Sequence, residues 1–312
     1  MTAVAVTGAA GYVGGRLIEH LRDSGADVRA LVRRERSWLD VAQIEVDLVT
    51  SPSAAVADAL DGIDVVVHLA GRSEVDAAQD PEGVLTDTVL GSQRLAAAAS
   101  VARVRRVVYA STVHVYGARM QPGVVLDEEL RPEPRHPYAI ARLTSEHVLR
   151  SAGEQGDFSV AILRLTNGVG APADPEVERW TLVANDLCRQ AVTTGQMTLD
   201  TSGVQWRDFI ALADACTAIA ASCTDEVPTG TYNLGSGCPT RVLDLATLVQ
   251  GSVERLTGVK PTLEAPNPPA DPPKPYRVDV SRLQARGIIA TTSLTDAIDE
   301  TVRFCADRMV HR

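Results

Sequence analysis

Tyr138 and Arg142 stand four residues apart in Tyr138-Ala139-Ile140-Ala141-Arg142-Leu143-Thr144-Ser145-Glu146, a run with helical spacing. Residues four apart share a helix face, so the guanidinium is predicted beside the phenol. A cation there stabilises phenolate and lowers the tyrosine pKa. A tyrosine so tuned gives a proton to a carbonyl oxygen or takes one from an alcohol. Thr112, in Ala110-Ser111-Thr112-Val113-His114-Val115-Tyr116-Gly117, supplies a hydroxyl able to hydrogen-bond the same oxygen. Tyr138, Thr112 and Arg142 are therefore the candidate catalytic residues. His114 and His136 are available as extra acids, or as hydrogen-bonded histidines of the fold.

These groups need a scaffold, and the chain announces one at its start. Ala3-Val4-Ala5-Val6 is short and apolar, a buried parallel strand. Gly15-Arg16-Leu17-Ile18-Glu19-His20-Leu21 has helical spacing. Between them lies Thr7-Gly8-Ala9-Ala10-Gly11-Tyr12-Val13-Gly14. Gly8 suits a tight turn, Gly11 leaves room for a phosphate, and Gly14 lets the helix pack close. The helix start turns free N–H groups and a favourable dipole toward an anion. Gly8, Ala10, Gly11, Tyr12 and Val13 are the residues predicted to face a dinucleotide.

Further strands are predicted at Val28–Val32, Gln43–Val46, Val65–Ala70 and Val104–Ala110, with helical stretches between, including the alanine-rich run Ser92–Val101. This alternation predicts a doubly wound α/β sheet with helices on both faces. Val32 is followed by Arg33 and Arg34, where an acidic residue would suit the ribose hydroxyls of NAD. An arginine pair suits the extra phosphate of NADP instead, so NADP(H) is expected over NAD(H). Asp47, before Leu48, either accepts from the adenine amino group or caps the next helix. The segment Pro261–Pro275 is too rich in proline for a helix or a central strand and reads as a surface crossing. Leu294–Phe304 returns to helical spacing.

The 312 residues suffice for one or two domains with a large core, and 45% hydrophobic with 22% charged residues is a globular balance. A net charge of −10 argues against nucleic acid as partner. No apolar run has the length of a membrane span, and no signal peptide precedes the first strand, so a cytoplasmic location is expected. The five cysteines lack metal-ligand spacing and are expected as free thiols; no metal is expected.

The motifs in their order resemble the extended short-chain dehydrogenase/reductase family, the NAD(P)-dependent nucleotide-sugar epimerase, dehydratase and ketoreductase group. Thr7–Gly14 matches its T-G-x-x-G-x-x-G, and Val67-His68-Leu69-Ala70-Gly71 the strand beside the cofactor. Ala110–Gly117 matches its serine/threonine strand, and Tyr138–Arg142 its Y-x-x-x-K in all but the last position. Arg164-Leu165-Thr166-Asn167-Gly168-Val169-Gly170 and Trp206-Arg207-Asp208-Phe209-Ile210 are similar to its substrate-side segments. Thr231–Gly237 and Arg277–Ser281 match later landmarks.

The resemblance implies a Rossmann-type domain over residues 1–165, to which segments near 205–235 return, and a smaller substrate-binding lobe mainly within 166–312. It implies Tyr138 as general acid/base, Thr112 as its partner, and Arg142 in the place of a lysine that also binds the nicotinamide ribose. Leu69, Ala70 and Gly71 would line the cofactor; Thr112, His114, Asn167 and Arg207 would meet a nucleotide-sugar substrate. Thr88 stands where the family has an asparagine that supports the lysine and a relay water. Family dehydratases carry an Asp-Glu pair after the threonine; Val113 and His114 stand there, so that route is not expected. The reaction expected first is NADPH-dependent reduction of an NDP-4-keto-6-deoxyhexose. A nucleotide-sugar epimerase is the alternative, and a non-catalytic dinucleotide sensor the alternative of another kind. A homodimer through the Ser92–Val101 helix and the helix beginning at Tyr138 is expected from the same resemblance.

Overall fold

Val4, Ala5 and Val6 are buried on both sides, which only a central strand covered by helices can achieve. The computed structural model describes residues 2–156 and 158–309. Its strands are β1 (Ala3–Thr7), β2 (Asp27–Val32), β3 (Ala42–Glu45), β4 (Val65–His68), β5 (Arg106–Thr112), β6 (Val125–Leu126) and β7 (Ser159–Leu165). They continue with β8 (Asn167–Val169), β9 (Gln196–Thr198), β10 (Trp206–Ala211), β11 (Gly230–Leu234), β12 (Pro239–Arg241), β13 (Thr262–Glu264) and β14 (Arg277–Val278). Seven of these form one parallel sheet in the order β3-β2-β1-β4-β5-β7-β11. The chain runs outward from β1 to β3, then crosses back to β4. The direction of winding therefore reverses between β1 and β4, which opens a crevice at their carboxyl ends.

One face of the sheet buries Leu17, Ile18 and Leu21 of the helix Tyr12–Asp23, with Leu212 and Ile219 of the helix Leu212–Ala221. The other face buries Leu95 and Ala99 of the helix Gly91–Val101 and Leu149 of the helix Pro137–Glu154. Side chains along β5 alternate between these faces: Val107 and Tyr109 go to the second, Val108 to the first. Apolar burial on both faces, at roughly 25 cal/mol per Å², is the main force holding the layers together.

The strands end differently from the sequence expectation at the site. β4 stops at His68 and β5 runs on to Thr112. Before Gly91 the chain makes one π-helical turn, Thr86–Leu90. Of the segment near 205–235, β11 joins the large sheet, whereas β10 lies between β8 and β12 in a small sheet. That small sheet packs with the helices Val183–Thr194, Val242–Thr257 and Leu294–Met309 around Leu187, Phe209, Val249 and Val302. In the proline-rich stretch only Thr262–Glu264 is regular, pairing with β9. Cys188, Cys216, Cys223 and Cys305 are buried free thiols and Cys238 an exposed one. No helix among the described residues is long and apolar enough to cross a membrane.

Candidate active site

Gly8 takes φ +68°, and a Cβ on it would lie 2.8 Å from the backbone nitrogen of Ala70. The turn after β1 is thus pressed against the chain leaving β4, at the point where winding reverses. The N–H of Gly11 donates to the carbonyl of Gly8 at 2.9 Å. Gly14 is more constrained still, since its Cβ would lie 2.1 Å from the Gly8 oxygen. The helix Tyr12–Asp23 begins with Gly11 as a cap that supplies no side chain, and its first turn holds no acidic residue. Early N–H groups of a helix suit an anion, and no acidic residue of this first turn competes for them. The Tyr12 side chain turns the other way, donating from its hydroxyl to Gly170 O at 2.8 Å, so only its backbone faces the turn. Ala10 and Val13 pack partly against the core beside it.

Tyr138 is the second residue of the helix Pro137–Glu154, whose start is fixed by Pro137 and by the His136 ring accepting from Ala139 N at 3.4 Å. One turn on, Arg142 is 8% exposed. Its guanidinium carbon lies 5.5 Å from the centroid of the Tyr138 ring and 6.0 Å from that of Tyr109. Its Nη1 donates to Ala110 O at 3.3 Å and to Ala70 O at 3.4 Å. Gly71, at φ +142°, lies so close that a Cβ there would sit 3.0 Å from Nη2. No carboxylate among the described residues forms an ion pair with Arg142. A buried cation without a counter-ion is costly unless the site uses its charge.

The groups around Arg142 are held neutral. His68 is clamped between Thr7 Oγ1 at 2.7 Å and Ser92 Oγ at 3.0 Å, and burial, with Arg142 nearby, pulls its pKa down to about 3. Tyr109 is fully buried and stacks on His68 at 5.4 Å; burial pushes its phenol up. Burial alone would lower Arg142 itself, but the phenols of Tyr109 and Tyr138 more than offset this and hold it protonated. One positive charge therefore acts at the Tyr138 ring, without another cation or an anion beside it to dilute the field.

Thr112 ends β5, and its Oγ1 accepts from His114 N at 3.2 Å, which leaves the hydroxyl proton for donation. The rings of His114, His136 and Tyr138 form a cluster: His136 lies parallel to Tyr138 at 6.0 Å and His114 stands edge-on to it at 6.5 Å. Burial pulls His114 down to about 4, helped by Arg207 and His136 and opposed by Glu74. Glu74 pairs with Arg179 at 2.9 Å; burial would raise its carboxyl, but this partner lowers it overall. The pair joins the segment after β4 to the segment after β8.

Arg207, on β10, forms no ion pair among the described residues, and its charge helps lower the pKa of His114. Its neighbour Asp208 is buried and accepts from Ser236 N at 2.8 Å and Ser236 Oγ at 3.1 Å instead of pairing with it. Asn167 donates its amide to Asp208 O at 2.8 Å, which spends one of its donors on the β8–β10 pair. Asp47 does not cap the next helix, Ser53–Asp58, which begins at Pro52 without a side-chain cap; its Oδ1 instead accepts from Val49 N at 2.7 Å and Thr50 N at 3.0 Å in the turn after β3. Burial works against its charged form, yet these bonds and Arg33 nearby hold the carboxyl below its usual range. Arg33 and Arg34 are exposed just beyond β2, and Leu48 and Leu69 are partly buried beside the sheet. In the π turn Thr86–Leu90, the carbonyl of Thr88 accepts from Ser92 Oγ at 2.7 Å and Ser145 Oγ at 3.2 Å. Sequence reasoning missed Tyr109, Glu74 and Arg179. Tyr109 is hidden in an apolar strand, and the other two are signalled only by charges in otherwise unremarked segments.

The NAD dependent epimerase/dehydratase family model matches residues 4–235. The chain is 28% identical to a UDP-glucose 4-epimerase of Mycolicibacterium smegmatis, over 96% of this chain and 97% of that protein. It is 30% identical to the dTDP-6-deoxy-L-talose 4-dehydrogenase (NAD(P)(+)) of Kitasatospora kifunensis, over 79% and 77% of the two chains. Among solved structures it is similar to MoeE5 in complex with UDP-glucose and NAD, with a TM-score of 0.81, 28% identity, and 97% and 98% of the chains covered.

Proposed function

The chain belongs to the NAD dependent epimerase/dehydratase family and is an NAD(P)-dependent enzyme of the extended short-chain dehydrogenase/reductase type; from that premise we propose that it interconverts a ring hydroxyl and a ketone on a nucleotide sugar, acting as a 4-epimerase. The reading rests on Arg142, a buried cation with no carboxylate, one helical turn from Tyr138 and against Gly71. The full-length likeness to a UDP-glucose 4-epimerase supports the choice of reaction.

The residues present fit a dinucleotide. Gly8, Ala10, Gly11, Tyr12 and Val13 would hold its diphosphate on backbone N–H groups. Asp47, with its second carboxylate oxygen, and Leu48 would meet the adenine. Leu69, Ala70 and Gly71 would pass beneath the nicotinamide half, and Tyr138 and Arg142 would reach its ribose. When bound, the dinucleotide supplies the hydride acceptor and donor. Tyr138 takes the proton of the sugar hydroxyl and later returns one to the ketone oxygen. Thr112 donates a hydrogen bond to that oxygen, and Arg142 holds its charge beside the phenol. Arg207 and Asn167 would grip the substrate diphosphate, the arginine through its forked donors.

A second reading is NADPH-dependent reduction of a 4-keto-6-deoxy sugar nucleotide. It is favoured by Arg33 and Arg34, which are exposed at the end of β2 and form no ion pair among the described residues. Two incubations separate the readings. UDP-glucose with NAD should give UDP-galactose without net change in cofactor if the protein is an epimerase. A TDP-4-keto-6-deoxy sugar should consume NADPH one for one with alcohol formed if it is a ketoreductase. Dinucleotide bound without either product would contradict both and leave the sensor reading.

A homodimer is inferred through the helices Gly91–Val101 and Pro137–Glu154, supported by the exposed Leu90, Val101 and Ile140 on and beside them.

A further inference from the structure

We propose that Tyr109 is the positioning residue of Arg142, an aromatic shelf that aims the guanidinium at Tyr138; the inference rests on the reading of Tyr138 and Arg142 as the acid/base pair. An arginine in a buried site must be held by something. Here it is not held by a carboxylate, and its two carbonyl contacts, at 3.3 and 3.4 Å, are at the long end for N–H···O bonds. Two aromatic faces remain, those of Tyr109 and Tyr138, both within the range of cation–π attraction.

Tyr109 is built as the fixed member of this pair. It is in register with His68 across the β4–β5 ladder and stacks on its ring. His68 is in turn pinned by Thr7 and Ser92. A continuous chain of contacts thus runs from the end of β1, beside the glycine turn, through His68 and Tyr109 to Arg142. Gly71 also lies against the guanidinium, where a Cβ would sit 3.0 Å from Nη2. Arg142 Nε and the hydroxyls of Tyr109 and Thr88 are buried without hydrogen-bond partners among the described residues. Two long carbonyl bonds hold one nitrogen of the guanidinium, and the rings of Tyr109 and Tyr138 flank the rest of it. A planar, delocalised cation needs such a shelf, whereas a lysine ammonium on a flexible stem does not.

The test is a double-mutant cycle between Tyr109 and Arg142, read by turnover and by fluorescence titration of the dinucleotide. Tyr109→Leu in the otherwise unchanged protein should lower kcat about tenfold to a hundredfold and weaken dinucleotide binding, with the nucleotide-sugar KM unchanged. Tyr109→Phe, which keeps the ring, should stay within about threefold. In the Arg142→Lys background, Tyr109→Leu should change kcat and dinucleotide affinity by less than about twofold. An equal loss in both backgrounds, or no loss with arginine present, overturns the proposal. If the leucine variant does not fold, Tyr109→Met fills a similar volume without a π face and serves in its place. Dinucleotide affinity is read without turnover. A protein inactive toward every sugar nucleotide would thus defeat the acid/base reading, while coupling in the titration would still decide the role of Tyr109.

Discussion

At the scale of single residues, the site separates its titratable groups by environment. His68 and His114 are held neutral, at about 3 and about 4, against an ordinary value of 6.5. In the unfolded chain both take up a proton as pH falls through 6.5, while the folded protein resists. The unfolded state then binds more protons, so stability rises with pH across this window and is lost on acidification. Each pKa unit corresponds to about 1.4 kcal/mol, so the two together cost on the order of 5 kcal/mol near pH 4. Urea denaturation at pH 7, 5.5 and 4.5 should show that decline, and His68→Gln should make it shallower. A slope the same in the variant would mean that His68 does not stay neutral in the fold. The placement of Arg142 one turn from Tyr138, and of Thr112 at a strand end, was legible because spacing along one helix and one strand is local information. That of Tyr109 was not, because its contacts with His68 and Arg142 join residues far apart in the chain. The restraint on Asn167 and the choice made by Asp47 were hidden for a related reason: an amide or carboxylate spends its bonds on whichever backbone the fold brings near.

At the scale of elements, the helix Pro137–Glu154 must be held in register for Tyr138 and Arg142 to reach the crevice. A buried ion pair does this. Arg164 on β7 meets Glu146 through Nη2–Oε2 at 2.8 Å and Nε–Oε1 at 3.1 Å, and Ser111 on β5 donates to the same carboxylate at 2.5 Å. The side chains are 4% and 0% exposed, so neither charge has water to fall back on. Glu146→Ala would strand the Arg164 charge and should cost about 3–5 kcal/mol in chemical denaturation. A loss below about 1 kcal/mol would show that the pair does not anchor the helix. Most of the sheet was legible, since β1, β2, β4 and β5 are runs of small and branched apolar residues that only a buried strand satisfies. The exact ends of β4 and β5 were not, because they depend on pairing with neighbours. Neither was the π turn at Thr86–Leu90, whose carbonyl at Thr88 is satisfied by hydroxyls from its own helix and the next.

At the scale of the whole molecule, the large sheet and the helix Pro137–Glu154 packed on it carry the glycine turn and the Tyr138–Arg142 pair. The small sheet carries Arg207, whose charge is felt at His114, and the Glu74–Arg179 pair joins the segments after β4 and β8. How the second half packs could not be read from patterns, because β8, β10 and β12 are short and take their partners from distant segments. The exposed Leu90 and Ile140 lead to an expectation for assembly: sedimentation should give a dimer, and Ile140→Glu should shift it to monomer. A monomer at micromolar concentration in the unaltered protein would contradict that surface assignment. The central claim is that Tyr138 moves the proton of a nucleotide-sugar hydroxyl. It is tested by incubating the protein and its Tyr138→Phe variant with UDP-glucose and NAD, following UDP-galactose by NMR and dinucleotide binding by fluorescence. The account predicts product from the unaltered protein, turnover in the variant lower by about a hundredfold or more, and dinucleotide affinity within about twofold. Undiminished turnover in the variant would contradict it.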